Sequence, residues 1–436
     1  MEVFDQFRGV IGIFFLLALA WGFSEDRSAR PGLRWIAGAL GLQAALALLI
    51  VRVPFVWDIV ILANDAVAAI ERATIDGSSY MFGYLGGAPL PFELKEGVDP
   101  PLIIAFQILP LVIVFSALAA LLWHWGVLRW LVNGLSFLLR RTLGVSGVVG
   151  LAGGANMFLG VVESPLAVRA YLARVSRAEL FQIMVLAMST ISGAILILYA
   201  TTLRQTVDDA VGHMISASLV SLPAALLVAR LMIPGNEDDA GTDTDPKVAE
   251  QGEADDGAPS SGLKYESSID AIIRGTMDGM QLFLAVIAVI IVIFALVSLF
   301  DQVLALLPLI GDAPITLKRV FGWLFSPLMW LIGVPWAEAQ AAGGLMGTKA
   351  ILNEYVAYLE LAALPDDTFG PRGLLIVTYA LCGVANLASV GLLVSTIGTL
   401  CPQRRAEAAG LGMRSWIAGN IATAMTGAWI GLVTWS

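Results

Sequence analysis

Two carboxylates stand where the surrounding residues offer them no obvious water: Glu163, in the run from Gly160 to Pro165, and Glu354, between Asn353 and Tyr355. A charged side chain at membrane depth costs at least ~2.5 kcal/mol, so each needs a partner or a task. One reading is local, with the carboxylate accepting backbone N–H groups at a broken turn and capping a half-helix. The other is contact with a polar solute. Further along, Asn386 and Ser389 are three residues apart and share a face if the backbone there is helical. Such a pair either bonds helix to helix or offers hydrogen bonds to a solute. The remaining chemistry is sparse. His124 and His213 are two scattered histidines, Cys382 and Cys401 imply no disulfide framework, and no zinc-ligand spacing or Gly-x-Ser-x-Gly turn occurs. Neither an enzyme nor a resident cofactor is expected, and nothing calls for a nucleic-acid partner.

The elements that must position these groups follow from composition. Of the 436 residues, 58% are hydrophobic and 14% charged, and the mean hydropathy is +0.82, values that exclude an ordinary soluble domain. Apolar runs long enough to cross a bilayer, which takes about 20 residues in a helix, lie near 9–24, 34–53, 101–123, 179–201, 213–233, 269–300, 371–399 and 410–435. The expectation is an all-α integral membrane protein with eight full passes. Residues 56–101, with Asp58, Asp65, Glu71, Arg72 and Asp76, read as an external loop containing one amphipathic interfacial helix, and residues 125–142 as a second interfacial helix. The formal charge of −10 is mostly local, because nine acidic residues and one Lys fall between Glu237 and Asp256. Residues 235–268 therefore read as an acidic, disordered linker. Placing the Arg and Lys clusters around Arg27, Arg140, Arg174, Lys264 and Arg404 in the cytoplasm puts both termini outside.

The linker divides two halves that resemble each other. A Gly-rich apolar stretch in the first, Leu143 to Val175, is interrupted at Gly160, Glu163, Ser164 and Pro165. Its counterpart, Val334 to Leu361, is interrupted around Gly343, Gly344, Gly347, Asn353 and Glu354. Each reads as a re-entrant pair of half-helices, followed by a full pass with small polar residues at mid-depth: Ser189, Thr190 and Ser192 in one half, Asn386 and Ser389 in the other. Irregular backbone at this depth is tolerated only inside protein or along a cavity, and matched interruptions in two halves point to a transporter's binding site. The expected organisation is a scaffold with an interfacial helix (1–142), a first transport-core repeat (143–234), the linker (235–268), a long scaffold helix with an external interfacial helix (269–332), and a second, inverted repeat (333–436).

Three stretches carry a resemblance: Gly160–Leu172 (GVVESPLAVRAYL), Gly333–Leu361 (GVPWAEAQAAGGLMGTKAILNEYVAYLEL) and Tyr379–Leu393 (YALCGVANLASVGLL). They resemble the signature stretches of concentrative nucleoside transporters, over a span from about residue 100 to the end. The resemblance implies an ion-coupled symporter for nucleosides in the inner (plasma) membrane, assembled as a homotrimer. It assigns the ribose hydroxyls to Glu354, Asn386 and Ser389. It assigns a Na+ site, where Na+ rather than H+ is used, to Asn156, Leu159, Thr190 and Ile191, with ion binding ordering the first hairpin. The base would lie against Val161, Val162 and Glu163. There the chain departs from the family's Gln-Thr-Glu-Ala-Pro-Leu, and Val384 replaces a common Phe, so that a base edge loses hydrogen-bonding partners. The alternatives are a carrier of the same fold for a modified nucleoside or another solute, and a membrane protein that keeps the fold without transport.

Overall fold

The structure, a computed structural model, describes residues 2–95, 102–161, 163–235, 265–310 and 313–434. Among them the only element that is not helical is an isolated bridge between Ile310 and Ala313. Nearly all of the acidic linker lies outside the described residues. The chain begins with α1 (Glu2–Gly22), α2 (Leu33–Arg52) and α3 (Pro54–Phe82). A single turn, Ile104–Gln107, leads into α4 (Pro110–His124), and α5 (Val127–Leu143) follows. The stretch 56–101, expected as a loop with one amphipathic helix, holds α3, a helix of 29 residues that Pro54 starts at its first turn, where proline's missing N–H and fixed φ suit it. Asp65, Arg72 and Asp76 are exposed along it, at near-heptad spacing that keeps charge on one stripe.

The first repeat comprises α6 (Gly147–Asn156), the short α7 (Glu163–Ala167), α8 (Arg177–Ser189), α9 (Gly193–Thr202) and α10 (Ala210–Met232). The long helix α11 (Ser268–Leu304) and the amphipathic α12 (Leu317–Leu331) intervene. The second repeat then gives α13 (Trp336–Gly347), a π-helical turn Thr348–Leu352, α14 (Glu354–Ala362), α15 (Pro371–Leu381), α16 (Leu387–Leu400) and α17 (Arg405–Val433). Hairpin, broken helix and continuous helix thus recur in the same order.

Polar side chains start the core helices. Ser176 and Glu179 form a reciprocal capping box at α8, and Ser146, Asn353 and Asn386 accept from the first turns of α6, α14 and α16. Each cap satisfies a backbone donor that a helix start would otherwise leave orphaned. The core gathers around α8, α10, α15 and α17, with α1 along α17 and α2 along α10. On α11, Gly275 and Gly279 admit α4 so closely that an added Cβ would lie 2.7 Å from Ser116 O and from Ile113 Cα.

Two expectations about the spans need correction. The passes over 179–201 and 371–399 are each broken, at Thr190–Ser192 and at Cys382–Asn386. The second hairpin is not interrupted at Gly343, Gly344 and Gly347, because α13 runs through all three. Those glycines serve close packing on α12: a Cβ at Gly343 would lie 2.7 Å from Gly322 O, and one at Gly347 would overlap Phe321. The tip lies later, at the π-turn and Asn353. By length and hydropathy six described helices or merged pairs can cross a membrane, and α1, α15 and α16 are shorter apolar helices. Helices α12 and α13 meet at a bend of 119°.

Candidate functional site

The second hairpin brings Glu354 to the centre of the molecule, 4% exposed. Asn353 is extended (φ −167°, ψ 145°) and its Oδ1 takes the Tyr355 N–H at 2.7 Å. Asn353 therefore does the capping, and the Glu354 carboxylate is left for other partners. Tyr199 Oη donates to its Oε1 at 2.5 Å. Asn386 Nδ2 donates to its Oε2 at 2.7 Å. Tyr199 comes from α9 of the first repeat and Asn386 from the break of the second, so one carboxylate joins both halves. Tyr355 stacks on Tyr199 (centroids 5.5 Å, planes 11° apart), and Tyr358 packs on Tyr199 as well, at 5.0 Å, with its Oη donating to Thr378 O.

Asn386 and Ser389 are linked as their spacing suggests, although not by sharing a helix face. Asn386 is the extended residue before α16, and its Oδ1 accepts the Ser389 N–H at 2.8 Å. That bond fixes the amide, turning Nδ2 toward Glu354. The Ser389 side chain itself is half-buried.

In the first repeat, Asn156 ends α6 and is 2% exposed. Its Nδ2 donates to Leu186 O at 3.0 Å and, in a short contact, to Thr190 Oγ1. Its Oδ1 is buried with no hydrogen-bond partner. A buried, unsatisfied carbonyl oxygen beside a threonine hydroxyl, next to the non-helical backbone of Leu159 and Ile191, suits a hard cation that prefers oxygen ligands. The four residues assigned to an ion thus lie at one junction. Among the described residues no cluster of His, Cys, Asp or Glu offers another kind of metal site.

A cavity of about 170 Å³ opens beside this junction, lined by Asn156, Leu159, Val161, Thr190, Val384 and residues of α4 and α11. Val161 and Val384 therefore face one space. Val162 and the Glu163 side chain lie outside the described residues. Glu354 and Asn386 do not line the cavity and instead engage each other. The second break packs tightly against the end of α8 and against α17, since a Cβ on Gly383 would lie 2.6 Å from Thr423 Cγ2 and 3.1 Å from Ser189 O.

Three polar residues at this centre escaped the sequence reading: Tyr199, Lys349 and Asn420. Lys349 is wholly buried, with Nζ donating to Asn420 Oδ1 and Thr423 Oγ1, both at 2.8 Å. The signal for it was present, as an ionisable residue inside an apolar segment. A single Tyr in the run over 179–201 gave no comparable sign of Tyr199.

With this geometry in place, comparison with known proteins is informative. Residues 213–431 match the family model "Na+ dependent nucleoside transporter C-terminus", 11–85 match its N-terminal counterpart, and 105–206 match a model described as "Nucleoside recognition". An uncharacterized transporter of Bacillus subtilis, YutK, is 32% identical over 97% of this chain and 98% of its own. The nucleoside permease NupC of Helicobacter pylori is 28% identical over 99% and 98%. Among solved structures, the transporter CNTnw in an inward-facing, substrate-bound state superposes with a TM-score of 0.83 at 31% identity, covering 98% of both chains. An outward-facing double variant of CNTnw gives 0.86 at 31% identity, covering 99% of both. The polytopic helical architecture, the paired hairpins and these matches agree that the chain belongs to the family of Na+-dependent, concentrative nucleoside transporters.

Proposed function

We propose that this multi-pass membrane protein imports nucleosides by symport, with Na+ entering at Asn156 and Thr190 and the ribose held by Glu354, Asn386 and Ser389. The observation that carries the reading is the Glu354 carboxylate, buried between the repeats and held only by hydroxyl and amide donors. A sugar diol can replace such donors one for one, so that solute entry exchanges hydrogen bonds instead of stripping a charge of them. The partnerless Asn156 Oδ1 supports Na+ over H+, because that oxygen gains a ligand from a cation and nothing from a titration elsewhere.

Binding of the ion fixes the end of α6 and the start of the first hairpin tip. The tip then closes one side of the solute pocket, which is a coupling free energy between two sites. The organisation follows as part of the same proposal: residues 143–234 and 333–436 form two inverted repeats of a moving core, and residues 1–142 and 269–332 form the scaffold. The broad apolar face of α11, where Ile272, Leu284, Ile291, Phe294 and Leu299 are exposed, suits lipid and the subunit contacts of a homotrimer. The clustering of arginines supports an inner-membrane orientation with both termini outside.

The test is uptake of radiolabelled uridine into proteoliposomes holding the purified protein, with inward gradients of Na+ or H+ applied separately. Uptake driven by Na+ and saturable by unlabelled uridine is expected. Uptake that follows the pH gradient and ignores Na+ would reassign the coupling ion and leave Asn156 structural. No uptake of any nucleoside under either gradient would sink the transport reading.

A further inference from the structure

Between Arg274 and Asp301 the helix α11 carries a single ionisable side chain, Asp278, and the scheme above gives it no task. At 1.5 Å per residue it lies about 15 Å along the axis from Ser268, inside the apolar run, where a charged side chain is costly unless it faces a partner or a cavity. Arg274, one turn earlier, is already held by Asp270, its Nε donating to Oδ1 at 2.8 Å. Among the described residues no group donates a hydrogen bond to Asp278. What it faces is the cavity beside the ion junction, whose lining takes Gly275, Asp278 and Leu282 from α11. Spacings of three and four residues put these on one side of the helix, while the exposed Leu284 and Ile291 lie on the other. The remaining walls are largely apolar, with Phe158, Val161, Ile195, Val384 and Leu392. Ser116, Ser192 and Tyr265 add hydroxyls, which can donate or accept, whereas an ionised carboxylate only accepts. The cavity also adjoins the groups read as ribose ligands. The Asn386 N–H bonds to Val384 O at 2.8 Å, so one tight turn presents Val384 to the cavity and Asn386 to Glu354.

We propose that Asp278 is a specificity-determining residue for the solute: its carboxylate accepts a hydrogen bond from the exocyclic amino group of a cytosine or adenine base lying against Val161 and Val384, and it disfavours the carbonyl that uracil or hypoxanthine carries at the same ring position. The inference rests on the reading of Val161 and Val384 as the base side of a nucleoside pocket. An amino group gives the carboxylate the donor that it lacks. A carbonyl sets acceptor against acceptor and leaves the carboxylate desolvated without a partner, which is the strongest form of rejection a small pocket has. The polar recognition that the valines of the first hairpin cannot give is thereby supplied from a different helix.

The experiment measures competition by unlabelled cytidine, uridine, adenosine and inosine against labelled cytidine, bound to the purified full-length protein at saturating Na+, for the wild type, Asp278→Asn and Asp278→Leu. In the wild type cytidine should outcompete uridine, and adenosine inosine, by about tenfold or more. Asparagine has nearly the same shape but offers both a donor and an acceptor, so Asp278→Asn should meet amino and carbonyl bases alike and bring both ratios close to one. Asp278→Leu should do the same by offering neither. Uridine and inosine competing as well as their amino counterparts in the wild type overturns the inference, and so does a preference that survives in the variants. If Asp278→Leu folds poorly, the near-isosteric Asp278→Asn decides, and the wild-type ranking needs no variant at all. A raised Na+ requirement in Asp278→Asn with the base ranking intact assigns the carboxylate to the cation and also overturns it. Binding of no nucleoside by the wild type sinks the proposed function and this inference together, whereas binding with an unchanged ranking in the variants sinks the inference alone.

Discussion

The two hairpins share an architecture and differ in how their polar groups are spent. In the second, Glu354, Asn386, Lys349 and Asn420 are all satisfied by one another and by Tyr199 and Thr423. In the first, Asn156 has an amide nitrogen with two acceptors and an oxygen with none, beside an open cavity edged by valine. A saturated network resists change, because breaking any member strands the rest. An unsaturated one invites a ligand. The difference teaches that one architecture used twice can leave the polar groups of one copy open and tie up those of the other, which under the proposed function suits the first to an ion and the second to a solute.

The comparison can be broken most severely at its saturated end. Glu354→Gln keeps the shape and removes the acceptor charge, and charge-assisted hydrogen bonds are worth about 1.5–3 kcal/mol. Uridine uptake should fall by roughly 100-fold or more, on the rule that 1.4 kcal/mol is tenfold, while the protein stays folded and inserted. Near-normal uptake would show that the central carboxylate is structural. At the unsaturated end, Asn156→Ala removes one oxygen ligand of several. The Na+ concentration giving half-maximal uptake should rise by about tenfold, with uridine affinity at saturating Na+ changed far less. Equal losses in both would mean that the first hairpin touches the solute as well.

A smaller effect should come from the valines. The double variant Val161→Gln, Val162→Thr adds hydrogen-bonding groups worth about 0.5–1.5 kcal/mol each. Relative affinities among uridine, cytidine and adenosine, read by competition against one labelled nucleoside, should shift by up to about tenfold. An unchanged order would show that this tip does not read the base. The smallest effect is expected outside the membrane core, where Glu25 joins the start of α8 to the body of α17. It pairs with Arg177 at 2.7 Å and with Arg414. The hydrogen bond from Arg177 holds the Glu25 carboxyl below its ordinary range. Its folded value being depressed, the stabilisation is present above the unfolded value near 4.3 and is lost as pH falls through the folded one. Glu25→Gln should therefore lower stability by under ~1 kcal/mol at neutral pH and by progressively less as the pH falls into the acid range, as read by melting in detergent.

Much of the fold was legible, and the misreadings have a common cause. Long apolar runs gave the spans because hydropathy sums over many residues. The same summing hid the breaks, since Cys382, Gly383, Val384 and Ala385 are as apolar as the helices they separate, and periodicity cannot register an unwound turn of such composition. Gly343, Gly344 and Gly347 misled in the opposite sense. Glycine marks both irregular backbone and close helix contact, and here it marks contact. The helix α3 was legible as an amphipathic helix, and only its length, 29 residues, was masked by its charges. At the site, Glu354 and Asn386 were visible because polar residues in apolar sequence are costly. Their partner Tyr199 was not, since a tyrosine is at home in an apolar helix with its hydroxyl bonded, and only the fold brings residues 199 and 354 together.

One contact sets a limit on how this machine can vary. At position 383 the second unwound segment rests on the end of α8 and on α17, with Thr423 Cγ2 and Ser189 O filling the place where a Cβ would stand. Ser189 O is main chain with no rotamer to change, and Thr423 is β-branched and stiff at χ1, so neither neighbour can readily give way to an added side chain. Position 383 therefore has no mutational slack. Variation at this contact has to come from neighbours that possess side chains, such as Met188, Ala385 and Thr423, while position 383 itself acts as a fixed spacer that sets how closely the break can lie against α8 and α17.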